Sequence, residues 1–161
     1  MMRLVIFFVL VMVCMSCDTL ENPPEVAWQT LSLQTLEGKP VSTDGLTGTP
    51  ILLNFWATWC KPCLEELPAM EKLMKTDAGK HVNFILVSEE SLPTLQEFTQ
   101  KNPYSFTFLQ SKTSLQELGL ILLPQSYLLD ADGKVIWQEG GTINWDKKEH
   151  RERLKGLTLM N

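Results

Sequence analysis

The sequence predicts an α/β domain: a central mixed sheet flanked by helices, entered through an N-terminal β-hairpin. Three observations carry this. Ile51 to Ala57 is a near-continuous apolar run followed by helical periodicity, and a second strand-then-helix succession runs from His81 to Lys101. Asp130-Ala131-Asp132-Gly133 lies between two short apolar segments, a strong hairpin signal. A continuous apolar run fits a strand covered on both faces, and alternating strands and helices define the α/β class.

Taken in order, Trp28 to Leu36 alternates as a strand, with Leu31 and Leu33 on one side. Glu37-Gly38-Lys39 turns it into a second short strand around Val41, completing the hairpin. After the break from Gly45 to Pro50, the Ile51 to Ala57 strand takes the sheet centre. Lys61 to about Lys75 is a helix, because Leu64, Leu67, Met70 and Met74 recur at helical spacing; Pro68 within it is expected to kink it. His81 to Ser88 is a buried strand, and Ser91 caps an amphipathic helix to Lys101 with Leu92, Leu95 and Phe98 on one face. Phe106 to Leu109 is a short strand, and Ser114 to Leu118 a short helix stopped by Gly119. Ser126 to Leu129 and Lys134 to Trp137 form the hairpin, Gly140-Gly141 ends the sheet, and Asn144 to Leu157 closes as a charged helix.

The first residues are an address. Arg3 precedes an apolar run from Leu4 to Met15, which is 12 residues long, whereas a spanning helix wants about 20. Residues 1–16 are therefore expected to be a secretory signal peptide. The polar, Pro23- and Pro24-bearing stretch within 17–26 suits an extended tether, leaving 27–161 as the folded domain. The 161 residues carry 14 Lys+Arg against 19 Asp+Glu, a net charge of -5. That gives no electrostatic footprint for nucleic acid.

Chemistry concentrates in Trp59-Cys60-Lys61-Pro62-Cys63. A C-x-x-C at a strand-to-helix junction places the first sulfur at a helix N-terminus, where unpaired N–H groups and the dipole stabilise a thiolate. Cys60 is thus the expected nucleophile, and Cys63, one turn on and more buried, the resolving thiol. Pro62 fits the first helical turn, and Lys61 adds a positive charge that would favour the Cys60 thiolate if directed toward it. Zinc would need two further ligands, for which only His81 and His150 are soft candidates. A c-type haem site would need His where Leu64 stands. A structural disulfide closing so short a loop constrains little unfolded chain. Copper(I) delivery by the two thiolates is the best non-enzymatic rival. No metal and no dissociable cofactor is expected.

The segment from Ile51 to Pro68, with Trp56-Ala57-Thr58 leading into the C-x-x-C, resembles the active-site segment of TlpA/ResA-like thiol-disulfide oxidoreductases of the thioredoxin superfamily. Leu123-Pro124-Gln125-Ser126-Tyr127, with Gly133-Lys134 beyond, resembles the second signature of that family, about 60 residues later. The resemblance covers roughly Trp28 to Leu154 and implies a thioredoxin-like fold. It implies that Pro124 is a cis-proline beside the C-x-x-C, shaping with Leu123 and Trp59 a groove for a substrate's extended backbone. Asn54 stands where thioredoxins carry a buried acid, and Glu66 occupies the position of the family's glutamate, three residues after the second cysteine. A partly buried carboxyl there would take the proton of Cys63 and titrate above its free value. At most one of Glu65 and Glu66 can face the site. Ser16-Cys17 resembles a lipobox, which would make Cys17 the lipid-anchor, with Cys14 in place of the commoner Leu.

The expected protein is an extracytoplasmic, membrane-anchored enzyme on the periplasmic side of a bacterial membrane. It would be a monomer that reduces disulfides of protein substrates such as apocytochrome c and is recharged by a membrane thiol electron donor. A disulfide oxidase or isomerase using the same pair is a further rival. The P-x-x-x-T-x-x-C pattern of a peroxidase is absent upstream.

Overall fold

A computed structural model of the chain describes residues 28–158. The expected signal peptide, Cys17 and the tether lie outside the described residues. The strands are β1 (Leu33–Thr35), β2 (Pro40–Val41), β3 (Ile51–Phe55), β4 (Asn83–Ser88), β5 (Thr107–Ser111), β6 (Gln125–Leu129) and β7 (Val135–Gly140). They form one sheet in the order β2-β1-β5-β4-β3-β6-β7. β3 pairs parallel with β4 and antiparallel with β6, and β4 pairs parallel with β5, so the sheet is mixed. The helices are α1 (Lys61–Met74), α2 (Leu92–Lys101) and α3 (Lys148–Thr158).

Every residue of β3 is buried, as its unbroken apolar run requires. Alternate residues serve two cores. Leu52, Leu86 and Leu128 face a cluster completed by Leu67, Met70 and Leu73 of α1, Leu95 of α2, and Leu154 and Leu157 of α3. Ile51, Leu53, Phe55, Ile85, Val87 and Tyr127 face the other way, covered by Trp28, Leu31, Leu115 and Leu120 from chain outside the three α-helices. α1 runs through Pro68, which lies exposed. Ser91 caps α2, its side chain accepting from the Thr94 amide.

The β6–β7 turn is built as its sequence implies. Asp130 Oδ1 accepts from the amides of Asp132 and Lys134, and Gly133 takes φ +80, a conformation that glycine adopts without steric cost. Four expectations shift. Trp28–Thr30 is a 3-10 turn and strand begins only at Leu33. Ser114 to Leu118 is a single turn rather than a helix: the Leu120 amide returns to the Leu115 carbonyl across Gly119 at φ +76, which ends it at once. α3 begins at Lys148, four residues later than read, and β4 at Asn83, because Gly79–His81 makes its own 3-10 turn.

Candidate active site

β3 delivers the chain into the loop 56–60 at the sheet end, and α1 leaves it. Cys60 is the N-cap of α1, with extended backbone (φ -82, ψ 93), and its Sγ accepts from the Cys63 amide at 3.3 Å. Cys60 and Cys63 form a disulfide with Cα atoms 5.3 Å apart. Cys60 is 4% exposed and Cys63 1%, so Cys60 is the more exposed residue of the pair. Pro62 lies in the first turn of α1, where the missing N–H is not needed. Lys61 is exposed and its ammonium sits 3.8 Å from Glu65, one turn on. Its charge is thus shared with a carboxylate in solvent, where such a pair is worth little.

The two adjacent glutamates separate cleanly. Glu65 is exposed, whereas Glu66 is 3% exposed, on the same helix face as Cys63. One Glu66 carboxylate oxygen accepts from the Ile143 amide and the other from the Trp145 indole Nε1–H at 3.2 Å. The Glu66 carboxyl is pushed up to about 7: burial raises it, the Ile143 and Trp145 donors offset part of that rise, and Glu139 adds a smaller upward push.

The register that pairs Phe55 with Gln125 brings Pro124 to the end of the sheet where the Trp56–Cys60 loop lies. The Leu123–Pro124 peptide bond is cis. Pro124 is buried and Leu123 half-buried. Trp59 is 72% exposed, and Ile121 and Leu122 are 77% and 71% exposed. Trp59, Glu89, Leu115, Leu120, Ile121 and Leu123 line a cavity of about 340 Å³ beside the disulfide loop. Asn54, in place of an acid, donates to Ser126 Oγ at 2.9 Å within the core.

Two contributors escaped the sequence reading. The acidic pair after β4 ties down two segments beside this cavity, the loop before Cys60 and the turn at Leu115. Glu90 accepts from the Thr58 amide and Thr58 Oγ1, each at 2.6 Å, while Glu89 accepts from the Leu115 amide at 2.6 Å. Glu90→Ala would leave Thr58 without its carboxylate, and the expected cost is about 2 kcal/mol in urea unfolding. Ile143 and Trp145, the partners of Glu66, are the second miss. A pair of glutamates at a strand end, and an isolated Ile and Trp in a loop, carry no local signal of these bonds.

Residues 25–138 match the AhpC/TSA family, and the chain belongs to that family within the thioredoxin superfamily. It is 38% identical over 128 residues to the thioredoxin-like protein YneN of Bacillus subtilis, covering 76% of this chain and 74% of that one. It is 36% identical over 126 residues to the thiol-disulfide oxidoreductase ResA of Bacillus thuringiensis subsp. konkukian, covering 76% and 72%. Among solved structures it is similar to MTB DsbF (TM-score 0.63, 28% identity, 81% and 96% covered). It is also similar to a thioredoxin-family thiol:disulfide interchange protein from Chlorobium tepidum TLS (TM-score 0.60, 27% identity, 89% and 99% covered). With the Cys60–Cys63 pair in place, the protein is a thiol-disulfide oxidoreductase of the ResA type.

Proposed function

We propose that this protein works outside the cytosol as a reductase of protein disulfides. The observation that carries the reading is the C-x-x-C at the N-terminus of α1 with the buried Glu66 carboxyl one turn beyond it. In the dithiol form the Cys60 thiolate attacks one sulfur of a substrate disulfide. The substrate S–S bond breaks, and a mixed disulfide forms while the first substrate thiolate leaves and takes a proton from water. Cys63 then gives its thiol proton to Glu66, and its thiolate attacks Cys60 Sγ. The Cys60–Cys63 bond forms as the second substrate thiolate departs and is protonated by Glu66. Two electrons pass to the substrate, and a thiol carrier in the membrane must return them.

The direction is supported by how little, beyond the helix N-terminus itself, stabilises the Cys60 thiolate. Strong oxidants owe their potential to a stabilised reduced form. Here Cys60 Sγ accepts from one amide, and Lys61 is drawn to Glu65. Both favour the disulfide and hence a reducing pair. In this reading residues 1–16 are a cleaved signal peptide, Cys17 is the lipid anchor, and 17–26 tether the domain 27–161 to the membrane. Apocytochrome c C-x-x-C-H segments or other oxidised envelope proteins are the substrates, and the working unit is a monomer.

Trp59, Leu123 and Pro124 bind the substrate segment next to its disulfide, with Ile121 and Leu122 extending that apolar rim. Ile121→Asp with Leu122→Asp is expected to raise KM for a protein disulfide about 5- to 10-fold, with kcat nearly unchanged, since two exposed apolar contacts are lost. The test of the reading itself is insulin-disulfide reduction by the dithiol form. Turnover supports it, and stoichiometric copper(I) binding without turnover would favour the copper-delivery rival.

A further inference from the structure

Glu66 is held by residues that the C-x-x-C motif does not include. Ile143 and Trp145 lie in the loop between β7 and α3, almost eighty positions further along the chain. Each supplies one N–H to a separate oxygen of the same carboxylate. Trp145 is 2% exposed and is fixed from its other side: its ring lies 4.9 Å from His150 and 6.2 Å from Trp137. The Arg153 guanidinium covers Trp137 at 4.5 Å and donates to His150 Nδ1 at 3.1 Å. Because a guanidinium is a donor only, His150 Nδ1 carries no proton and the ring is neutral.

We propose that Trp145 is a positioning residue for the proton-transfer step: with the Ile143 amide it orients the Glu66 carboxylate and favours its ionised form, which receives the Cys63 proton. This rests on the reading of Glu66 as proton acceptor. The physical reason is charge balance. Removing Glu66 from water favours the neutral acid, and Glu139 on β7 acts in the same direction. Two N–H donors aimed at separate oxygens favour the anion, and Trp145 supplies one of them. Around Trp145 and His150 the charged or titratable groups include Arg153, Lys147, Glu139 and Glu149, whose Oε1 lies 3.6 Å from His150 Nε2. Burial and Arg153 hold His150 below its ordinary range.

The experiment is carboxyl-carbon NMR titration of Glu66 in the full chain in detergent solution, comparing wild type with Trp145→Phe, which keeps the stacked ring and loses only the N–H. The midpoint should rise by about one pH unit, the effect of losing one hydrogen bond to a charged acceptor. The acid limb of disulfide reduction should move with it, giving about a fivefold loss at pH 7 and recovery near pH 9. A rate lowered equally at every pH, with an unmoved Glu66 midpoint, would reduce Trp145 to packing and overturn the proposal. Wild type offers a second reading that needs no variant at Trp145. The Trp145 indole N–H resonance should titrate with the Glu66 midpoint and stop titrating in Glu66→Gln; a flat indole signal in wild type contradicts the proposal. The underlying reading fails by a different result: Glu66→Gln retaining the wild-type pH–rate profile while the indole signal of the wild type still titrates with Glu66.

Discussion

Cys60→Ser should abolish disulfide reduction, and Cys63→Ser should halt it one step later with the substrate attached. The difference follows from the placement of the two sulfurs. Cys60 caps α1 and is the more exposed of the pair, whereas Cys63 lies inside the first turn and is 1% exposed. Ser at position 60 leaves no thiolate at the helix N-terminus, and a hydroxyl does not attack disulfides at neutral pH. Ser at position 63 leaves the attack intact but removes the thiol that would break the mixed disulfide. That variant should accumulate a covalent adduct with substrate, visible on a non-reducing gel and dispersed by dithiothreitol. Adducts formed by Cys60→Ser, and not by Cys63→Ser, would reverse the two roles.

Glu66→Gln should have the second-largest effect, and on two properties. In the folded protein the carboxyl titrates at about 7 against an ordinary value of 4.5. A raised carboxyl means that the folded state holds the proton more tightly than the unfolded chain does. Its stabilising contribution is therefore complete below about pH 4.5 and is lost as pH rises through about 7. The span corresponds to about 3 kcal/mol. Gln does not titrate, so urea unfolding of the variant relative to wild type should show a difference that changes by about that amount between pH 4.5 and pH 8. Gln is the less stable of the two at the acid end, since its amide group can accept from only one of the Ile143 and Trp145 donors. His150 titrates in both proteins, so the comparison cancels it. The resolving step above pH 7 should slow by about 100-fold, the scale of losing a general base. A pH-independent difference in stability would show that the carboxyl does not titrate near 7.

The legible part of the protein is the part that local pattern controls. β3 declared itself by an apolar run that only a two-sided burial explains, α1 by its periodicity, and the β6–β7 turn by Asp130 and Gly133. Cys60 and Cys63 fall where a helix N-terminus must place them. Of the two glutamates, only one could face inward, and Glu66 does. The cis bond before Pro124 came from resemblance, because an isolated proline is ordinarily trans. What the sequence hid was set by long-range contact. Ser114 to Leu118 has the residues of a helix, yet five residues cannot offset the cost of nucleating one, and tertiary contacts through Glu89 and Leu120 fix a turn instead. Thr58 meets Glu90 across 32 positions, and Glu66 meets Trp145 across 79; neither pairing leaves a periodic trace.

A Cys60–Cys63 pair that works as a reducing dithiol must have a low equilibrium reduction potential. Trp59, exposed beside Cys60, and Trp56, buried in the same loop, supply the fluorescence signal for titration in thiol–disulfide buffers. One two-electron transition near the thioredoxin value of about -270 mV is the predicted result. A transition near about -120 mV, the potential of a strong oxidant, would contradict the account.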